Sequence, residues 1–173
     1  MARNVEWKAR ARDPDRQRQL AERLAGAPPK LLEHVDTFFH VANGYLKLRQ
    51  CSHDRSELIC YVRPLQAGPK LSNYSIVPTE RPGELRNVLA QALGIYGEVR
   101  KRRHVYLVGQ SRIHFDEVEH LGSYLEVEVV LRPEQSVDEG ERLAEALRRQ
   151  LEVSEDDLVE VAYIALLKEK QAC

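Results

Sequence analysis

Polar and apolar residues alternate along much of this chain with the period of two that β-strands impose. The first such run has a polar residue at every second position: Asn4, Glu6, Lys8 and Arg10. Near the end of the strand-rich region, Glu126 and Glu128 stand between apolar residues in the same way. Because residues two apart on a strand point to the same face, each run directs its charged side chains onto one shared surface.

Eight segments have strand character and are separated mostly by short turns. We expect strands over residues 3–12, 34–41, 45–51, 57–63, 70–77, 98–108, 111–119 and 124–131. The pair Asn43-Gly44 is a strong hairpin signal between the second strand and the third, and residues 52–56 are typical of a polar loop. Eight antiparallel strands can close into a barrel whose interior is wide enough for a small ligand.

Two helices are predicted within the strand-rich region. Asp13 caps the first helix and Pro14 occupies its first position, while Gly26 ends it. The second helix covers residues 82–93 and ends at Gly94. Its apolar positions predict a buried stripe: Leu85, Val88, Leu89, Ala92 and Leu93.

Two further helices are predicted at the C-terminal end. Ser136 with Glu139 forms one capping box, and Ser154 with Asp157 forms another. Strand runs interrupted by a few helices favour an α+β fold. We therefore expect a single domain over residues 1–173, built as an eight-stranded antiparallel β-barrel with flanking helices.

The alternating charges have two interpretations. They are typical of a solvated outer face that covers an apolar core. A solvated face, however, normally mixes the two signs to limit repulsion, whereas here Glu pairs with Glu and Lys with Arg. The alternative is that these side chains line the inside of the barrel, with acidic groups for metal ions and basic groups for phosphates.

Bulk composition excludes several classes of protein. A net charge of −1 argues against general binding to nucleic acid. No apolar run approaches the roughly 20 residues that a membrane crossing needs, so we expect no membrane partner. The three cysteines, Cys51, Cys60 and Cys173, form no close ligand pair. Without a hydrophobic signal core, we interpret them as reduced thiols in a cytoplasmic protein, either a monomer or a homodimer.

The acidic residues suit a hard metal ion. Glu6, Glu126 and Glu128 come from the two ends of the strand-rich region, and a closed barrel can bring them together. Carboxylate oxygens favour Mg²⁺ or Mn²⁺, with water and substrate phosphate in the remaining positions. Asp116 is either a further ligand or a partner for a basic residue.

The basic residues suit a polyphosphate. They are Lys8, Lys47, Arg49, Arg63, Lys70, Lys101 and Arg103. Several of them around one cavity would repel each other unless an anion were present, and arginine forks match phosphate oxygens. Lys8 and Arg103 are the candidates for direct catalytic roles. His114 lies in phase with Arg112 and is either a proton carrier or a hydrogen-bonded filler.

Taken together, these segments resemble the CYTH superfamily, also called triphosphate tunnel metalloenzymes. The similar segments are Asn4-Val5-Glu6-Trp7-Lys8, Asp36-Thr37-Phe38-Phe39, Leu46-Lys47-Leu48-Arg49, Gly68 to Tyr74, Arg100-Lys101-Arg102-Arg103, and Phe115 to Glu128. The stretches 68–74 and 105–109 look closer to the class IV adenylyl cyclase branch than to the vertebrate thiamine triphosphatase branch. One departure is that Asn4 stands where the signature of the family begins with Glu.

The resemblance implies a tunnel that binds a triphosphate and a divalent metal, Mg²⁺ or Mn²⁺. It implies metal binding by Glu6, Glu126 and Glu128 with Asp116 close by, and phosphate binding by the basic set, with Lys70 the least sure. The first functional hypothesis is conversion of ATP to cyclic AMP and pyrophosphate. The alternatives are hydrolysis of a triphosphate, such as tripolyphosphate or thiamine triphosphate, and non-catalytic binding of a polyphosphate or nucleotide after loss of the carboxylate at Asn4.

Overall fold

Eight antiparallel strands form a closed barrel in the computed structural model, which describes residues 2–51 and 55–172. The strands are β1 (Ala2–Arg10), β2 (Lys30–Phe39), β3 (Tyr45–Cys51), β4 (Ser56–Val62), β5 (Lys70–Thr79), β6 (Ile95–Val108), β7 (Ser111–Val118) and β8 (Gly122–Val130). Their order around the barrel is β1-β5-β4-β3-β2-β6-β7-β8. The predicted α+β barrel is confirmed, with strand ends shifted by a few residues. The polar loop predicted at 52–56 lies mostly outside the described residues, as does Cys173.

Strand β1 closes the barrel because it pairs with β5 on one side and with β8 on the other. Its register places Glu6 opposite Glu128 and Lys8 opposite Glu126. The signature at the start of the chain therefore meets the acidic pair near its end. Directly opposed residues of an antiparallel pair have Cβ atoms about 4.5–5.5 Å apart, so these side chains share one surface.

Four helices flank the barrel: α1 (Pro14–Ala25), α2 (Pro82–Leu93), α3 (Val137–Gln150) and α4 (Tyr163–Ala172). The side chain of Asp13 accepts a hydrogen bond from the Arg16 amide at the start of α1. Ser136 and Glu139 form the predicted capping box at α3. None of the helices in the described part of the chain combines the length and the apolar character needed to cross a membrane.

The second predicted capping box is wrong. Ser154 caps a short 3₁₀ turn, Glu155–Asp157, and α4 begins only at Tyr163. Between the two, Leu158 is extended and bridges to Ala9, and the Val159 amide donates to the Lys8 carbonyl at 2.8 Å. Pairing with β1 thus holds this segment in an extended conformation that a continuous helix would not allow.

The buried stripe predicted for α2 is also wrong. The helix has no buried residue, and Val88 and Leu93 are 61% and 37% exposed. Its attachment to the barrel is largely polar, since the Arg86 guanidinium contacts Glu98 at 2.7 Å and the Thr37 hydroxyl at 3.3 Å. The apolar periodicity of α2 is real, but the barrel leaves that face largely uncovered.

The main hydrophobic core lies outside the barrel, between the outer faces of its strands and helices α1 and α3. Its members include Val5, Trp7, Ile113, Leu125 and Val127. The Trp7 indole Nε1 also donates to the Ala144 carbonyl in α3 at 2.8 Å. With the apolar residues of these strands packed outwards, the alternating polar residues point into the barrel.

We predict that Gly140→Ala destabilises the fold. A Cβ atom at Gly140 of α3 would lie 2.8 Å from Val5 Cγ2 and 2.6 Å from Leu131 Cδ2, and overpacking of this kind costs about 1–3 kcal/mol. Gly83→Ala in α2 is the matched control because a Cβ atom there meets nothing within 4 Å. Denaturant unfolding should show Gly140→Ala less stable than Gly83→Ala by about 1–3 kcal/mol. Equal stabilities would mean that this contact relaxes freely.

Candidate active site

The barrel encloses a charged cavity of about 380 Å³ to which all eight strands contribute side chains. Among the described residues, nine Lys and Arg side chains line it against five Asp and Glu side chains. Charged side chains of this density are rare in protein interiors unless they are paired or bind an ionic ligand. The excess of basic groups favours an anionic ligand.

One side of the cavity is covered and another is open. Ala162 and Tyr163, at the start of α4, line the cavity and pack in an apolar cluster with Phe38 and Tyr61. Tyr163 is 5% exposed, and its ring centroid lies 3.7 Å from Lys8 Nζ. Other lining residues are solvent-exposed, namely Lys30, Arg55 and Ile76. We call the region around these three the mouth of the tunnel.

Asp36 organises the basic side of the tunnel. Its carboxylate accepts from Lys47 Nζ at 2.9 Å and from the Arg49 guanidinium at 2.8 and 2.9 Å. Burial acts to raise the pKa of Asp36, but Arg49 and Lys47 outweigh it and hold the pKa well below its usual range. Burial, reinforced by Arg49, lowers the pKa of Lys47 to about 7. The pair Lys47 and Arg49 thus shares a single negative charge.

Asp116 holds Lys101 and Arg103 in the way that Asp36 holds Lys47 and Arg49. It is fully buried and accepts from Arg103 Nε at 2.6 Å and from Lys101 Nζ at 3.2 Å. The Arg103 guanidinium also reaches Glu126. Asp116 itself is not among the side chains that line the cavity. Asp116 therefore acts as a partner for basic residues, one of the two roles that the sequence predicts for it.

The acidic side of the tunnel is formed by β1 and β8. Glu126 lies between Lys8 and Arg103 and contacts both. Although burial acts to raise it, the pKa of Glu126 is held well below its usual range by Lys8 and Arg103. Glu6 contacts Arg63. The Glu126 carboxylate is therefore ionised at neutral pH, and carboxylate oxygens of this kind are hard ligands.

Lys70, one of the predicted phosphate ligands, has a different environment. Its side chain is buried, and its Nζ donates to the carbonyls of Gln66 at 2.7 Å and Glu160 at 3.2 Å. It does not line the cavity, whereas the other six basic residues of the predicted set do. The contacts of Lys70 tie the loop before β5 to the segment before α4.

His114 lies on the acidic side, beside the two glutamates of β8. Among the residues that the structure describes, His114, Glu126 and Glu128 are the set whose ligand atoms all lie within 4.8 Å of one another. Burial, followed by the charge of Arg103, lowers the pKa of His114 to about 3. The ring is therefore neutral at physiological pH. A neutral imidazole with two carboxylates is a donor set that divalent cations accept, so the residues present fit a metal ion.

Asn4 lies on the tunnel face of β1, two residues before Glu6. It is 3% exposed, and its Oδ1 has no hydrogen-bond partner in the described structure. A buried carbonyl oxygen without a partner costs about 1–3 kcal/mol. The amide oxygen at Asn4 is thus free to accept from, or coordinate to, a bound group.

Sequence reasoning missed some of the residues that line the tunnel. Asp36 and His34 lie on the inner face of β2, and the alternation of that strand was a signal that could have assigned them to the site. Arg112 of β7 pairs with Glu128 at 2.8 Å and was noted only for its phase. Tyr163 had no comparable signal, because its position depends on the extended segment before α4.

An antiparallel barrel with acidic residues on one side of its interior and basic residues on the other defines a tunnel protein for polyanions. The family model described as the CYTH domain matches residues 2–163, and the chain belongs to the CYTH family. This family is metal-dependent, its fold binds triphosphate substrates, and its members include triphosphatases and adenylyl cyclase-like enzymes. No curated protein sequence matches the chain significantly.

Solved structures share the fold at low sequence identity. A protein from Pyrococcus horikoshii is 21% identical with a TM-score of 0.84, covering 94% of this chain and 98% of its own. A candidate adenylate cyclase from Vibrio parahaemolyticus is 16% identical with a TM-score of 0.75, covering 95% and 97%. A candidate adenylyl cyclase from Hippeastrum with a dominant triphosphatase activity is 15% identical with a TM-score of 0.66, covering 98% and 96%.

Proposed function

We propose that the protein is a divalent-metal-dependent enzyme that acts on a nucleoside triphosphate, converting ATP to cyclic AMP and pyrophosphate in the manner of a class IV adenylyl cyclase. The observation that carries this proposal is the cavity itself. Within the described part of the chain, its nine basic residues outnumber its five acidic ones, and two of the acidic ones lie beside a neutral histidine. That combination suits a polyphosphate together with a cation.

The triphosphate would be held by Lys47, Arg49, Arg63, Lys101 and Arg103. Two of these arginines have their guanidinium planes fixed by a buried carboxylate, Arg49 by Asp36 and Arg103 by Asp116. A fork held in this way loses little conformational freedom when it binds phosphate oxygens. Lys70 donates to two backbone carbonyls instead, and we assign it a supporting role.

The metal would be held by Glu126 and Glu128, with Glu6 nearby once Arg63 turns to the substrate. A divalent cation bound there would neutralise charge on the phosphate oxygens and orient them for displacement. Asn4 lies two residues before Glu6 on the same face of β1, and Glu6 is opposite Glu128. The Asn4 carbonyl oxygen would therefore point toward the same metal site. Asp116 serves this site through Arg103 and is not needed as a ligand.

Lys8 and Arg103, which flank Glu126, are suited to different steps. Burial acts to lower the pKa of Arg103, but Asp116 and Glu126 outweigh burial and raise that pKa well above its usual range. The guanidinium therefore stays charged and stabilises developing negative charge. Burial lowers the pKa of Lys8, but its amine contacts Glu126 and lies against the Tyr163 ring on the covered side of the cavity. Lys8 is therefore suited to stabilise the charge of the leaving pyrophosphate. In cyclisation the ribose 3′-oxygen forms a bond to the α-phosphorus. The bond from that phosphorus to the bridging oxygen breaks, pyrophosphate leaves, and the hydroxyl proton passes to water.

The residues near the tunnel mouth favour an organic substrate over an inorganic one. Leu32, Ile76 and Val105 line the cavity together with Tyr74. Apolar and aromatic side chains suit a sugar and a base better than a terminal phosphate. With α4 covering the other side, the nucleoside would lie at the mouth and the phosphates inside.

Two other functions have support. Hydrolysis of a triphosphate uses the same tunnel with water as the nucleophile, and the similar protein from Hippeastrum has a dominant triphosphatase activity. Non-catalytic binding is favoured by Asn4, which supplies a neutral amide where the signature of the family has a carboxylate.

Product assays separate the three functions. ATP and tripolyphosphate are incubated in parallel with the protein and Mg²⁺ or Mn²⁺, and cyclic AMP, pyrophosphate and orthophosphate are quantified. Equal amounts of cyclic AMP and pyrophosphate from ATP support the cyclase. Orthophosphate without cyclic AMP supports hydrolysis, and tight binding without any product supports a binder. Full turnover in excess chelator would overturn the metal-dependent mechanism.

A further inference from the structure

His114 is the one member of the candidate metal group that is not a carboxylate. It is 4% exposed, and its Nδ1 makes no hydrogen bond within the described structure. Glu128 Oε1 lies 3.8 Å from Nδ1 and Glu126 Oε2 lies 4.0 Å from it. These separations are too long for hydrogen bonds, so the ring is surrounded by acceptors that it does not contact.

The three donor atoms lie near enough to gather around one ion. Ligand atoms bound at about 2.1 Å around an octahedral cation are separated by about 3.0 Å when adjacent and about 4.2 Å when opposite. Only one of the two carboxylates can lie opposite Nδ1, so the other must move about 1 Å closer to Nδ1 when an ion binds. A buried imidazole nitrogen that has no partner among the described residues, next to two ionised carboxylates, is the arrangement expected when the partner is a metal ion.

We propose that His114 is a nitrogen ligand of the divalent cation in the tunnel, and that the site therefore prefers Mn²⁺ and Co²⁺ to Mg²⁺. The proposal deepens the function proposed above, because it concerns the cation of that same site. Imidazole nitrogen is a poor ligand for Mg²⁺, which favours oxygen and retains its water. Affinity at a mixed nitrogen and oxygen site rises from Mn²⁺ to Co²⁺.

Asn4 strengthens this preference. A site with four carboxylates would attract Mg²⁺ mainly through charge. Here the position of the first signature glutamate carries an amide, and Asp116 is occupied by Lys101 and Arg103. With less negative charge near the ion, the covalent contribution of the imidazole accounts for a larger share of the affinity.

The structure provides a matched control in His34. It is also 4% exposed, lines the same cavity and has an Nδ1 without a hydrogen-bond partner in the described residues. Burial and the charge of Arg49 lower its pKa to about 2. However, it lies among the basic residues and does not belong to the group around Glu126. Substituting it removes a tunnel histidine without touching the proposed metal ligands.

Pulsed electron paramagnetic resonance on Mn²⁺ tests the assignment without relying on activity. The full chain is stripped of metal and then loaded with Mn²⁺, alone and together with tripolyphosphate. We expect the wild type to show ¹⁴N modulation from a coordinated imidazole, which shifts to the ¹⁵N frequency in protein labelled with ¹⁵N-histidine. His114→Gln and His114→Phe should lose the signal, whereas His34→Gln should keep it.

Metal titrations provide the second readout. Wild-type affinity should increase from Mg²⁺ to Mn²⁺ to Co²⁺, and His114→Gln should weaken Mn²⁺ and Co²⁺ binding by about tenfold or more while changing Mg²⁺ binding less. Mn²⁺ bound without nitrogen modulation, or modulation retained in both His114 variants, would overturn the inference. Absence of Mn²⁺ binding under both conditions would also overturn it. Nitrogen modulation in a protein that turns over neither ATP nor tripolyphosphate would sustain the inference and reject the enzymatic proposal.

Discussion

Glu126→Gln is expected to reduce turnover on the order of 100-fold or more, the largest effect of any single conservative substitution in the tunnel. Glu126 belongs to the candidate metal group and is also the only described carboxylate that contacts both Lys8 and Arg103. An amide in its place removes one negative charge. It also presents an NH₂ group to partners that are donors themselves.

Two quantities measure the expected loss of function: the affinity for Mn²⁺ and the turnover rate. We expect weaker Mn²⁺ binding and a lower kcat, with the fold intact by circular dichroism. Glu145→Gln on α3 is the matched control, because that carboxylate also contacts two arginines, Arg148 and Arg149, but lies outside the tunnel. It should leave activity unchanged. Wild-type turnover in Glu126→Gln would exclude this carboxylate from the chemistry.

The strands and the polarity of the interior were predictable because they depend on a local rule. A period of two fixes which residues share a face, and the apolar members of β1 and β8 pack against α3, so the polar members must point inwards. The acidic and basic sets of the sequence then become two sides of one cavity. Closure follows from the pairing of β1 with β8.

The two predictions that were wrong, the buried stripe of α2 and the capping box at Ser154, depend on tertiary contacts that a local pattern does not contain. The stripe of α2 has the right period, but whether anything covers Val88 and Leu93 depends on where the helix docks. The capping box at Ser154 was interrupted by a bridge between Leu158 and Ala9, which are far apart in sequence. The sequence has a helical pattern in both places. It does not show which residues, distant along the chain, will or will not pack against that pattern in the folded protein.

The same limitation applies to the basic residues. The sequence predicted that these residues repel each other in the absence of an anion. In the structure, however, several of them have a carboxylate partner. Asp36 neutralises part of the charge of Lys47 and Arg49, and Asp116 does so for Lys101 and Arg103. The tunnel is therefore a network of ion pairs, and substrate binding must compete with its carboxylates.

Asp36→Asn should accordingly destabilise the unliganded protein and strengthen its affinity for a polyphosphate. Asp36 is 2% exposed, and its removal leaves Lys47 and Arg49 without their shared counterion. Removing one partner of a buried ion pair costs about 3–5 kcal/mol, which lowers the Tm by roughly 6–20 °C for a chain of this size. A triphosphate would replace the missing charge and would no longer compete with Asp36 for Arg49. We expect tripolyphosphate to bind about tenfold more tightly or better than to wild type.

Thermal melts with increasing tripolyphosphate provide the measurement, since ligand that binds only the folded state raises the Tm according to its affinity. Asp157→Asn is the matched control. Asp157 is also buried and contacts an arginine, Arg12 at 2.7 Å, but that pair lies outside the tunnel. Asp157→Asn should gain no more from tripolyphosphate than wild type, whereas Asp36→Asn should gain roughly 3–6 °C more than wild type, because a tenfold difference in affinity is worth about 1.4 kcal/mol. An equal gain in all three proteins would show that the anion does not reach Lys47 and Arg49, because only there does the loss of Asp36 leave a positive charge for it to meet.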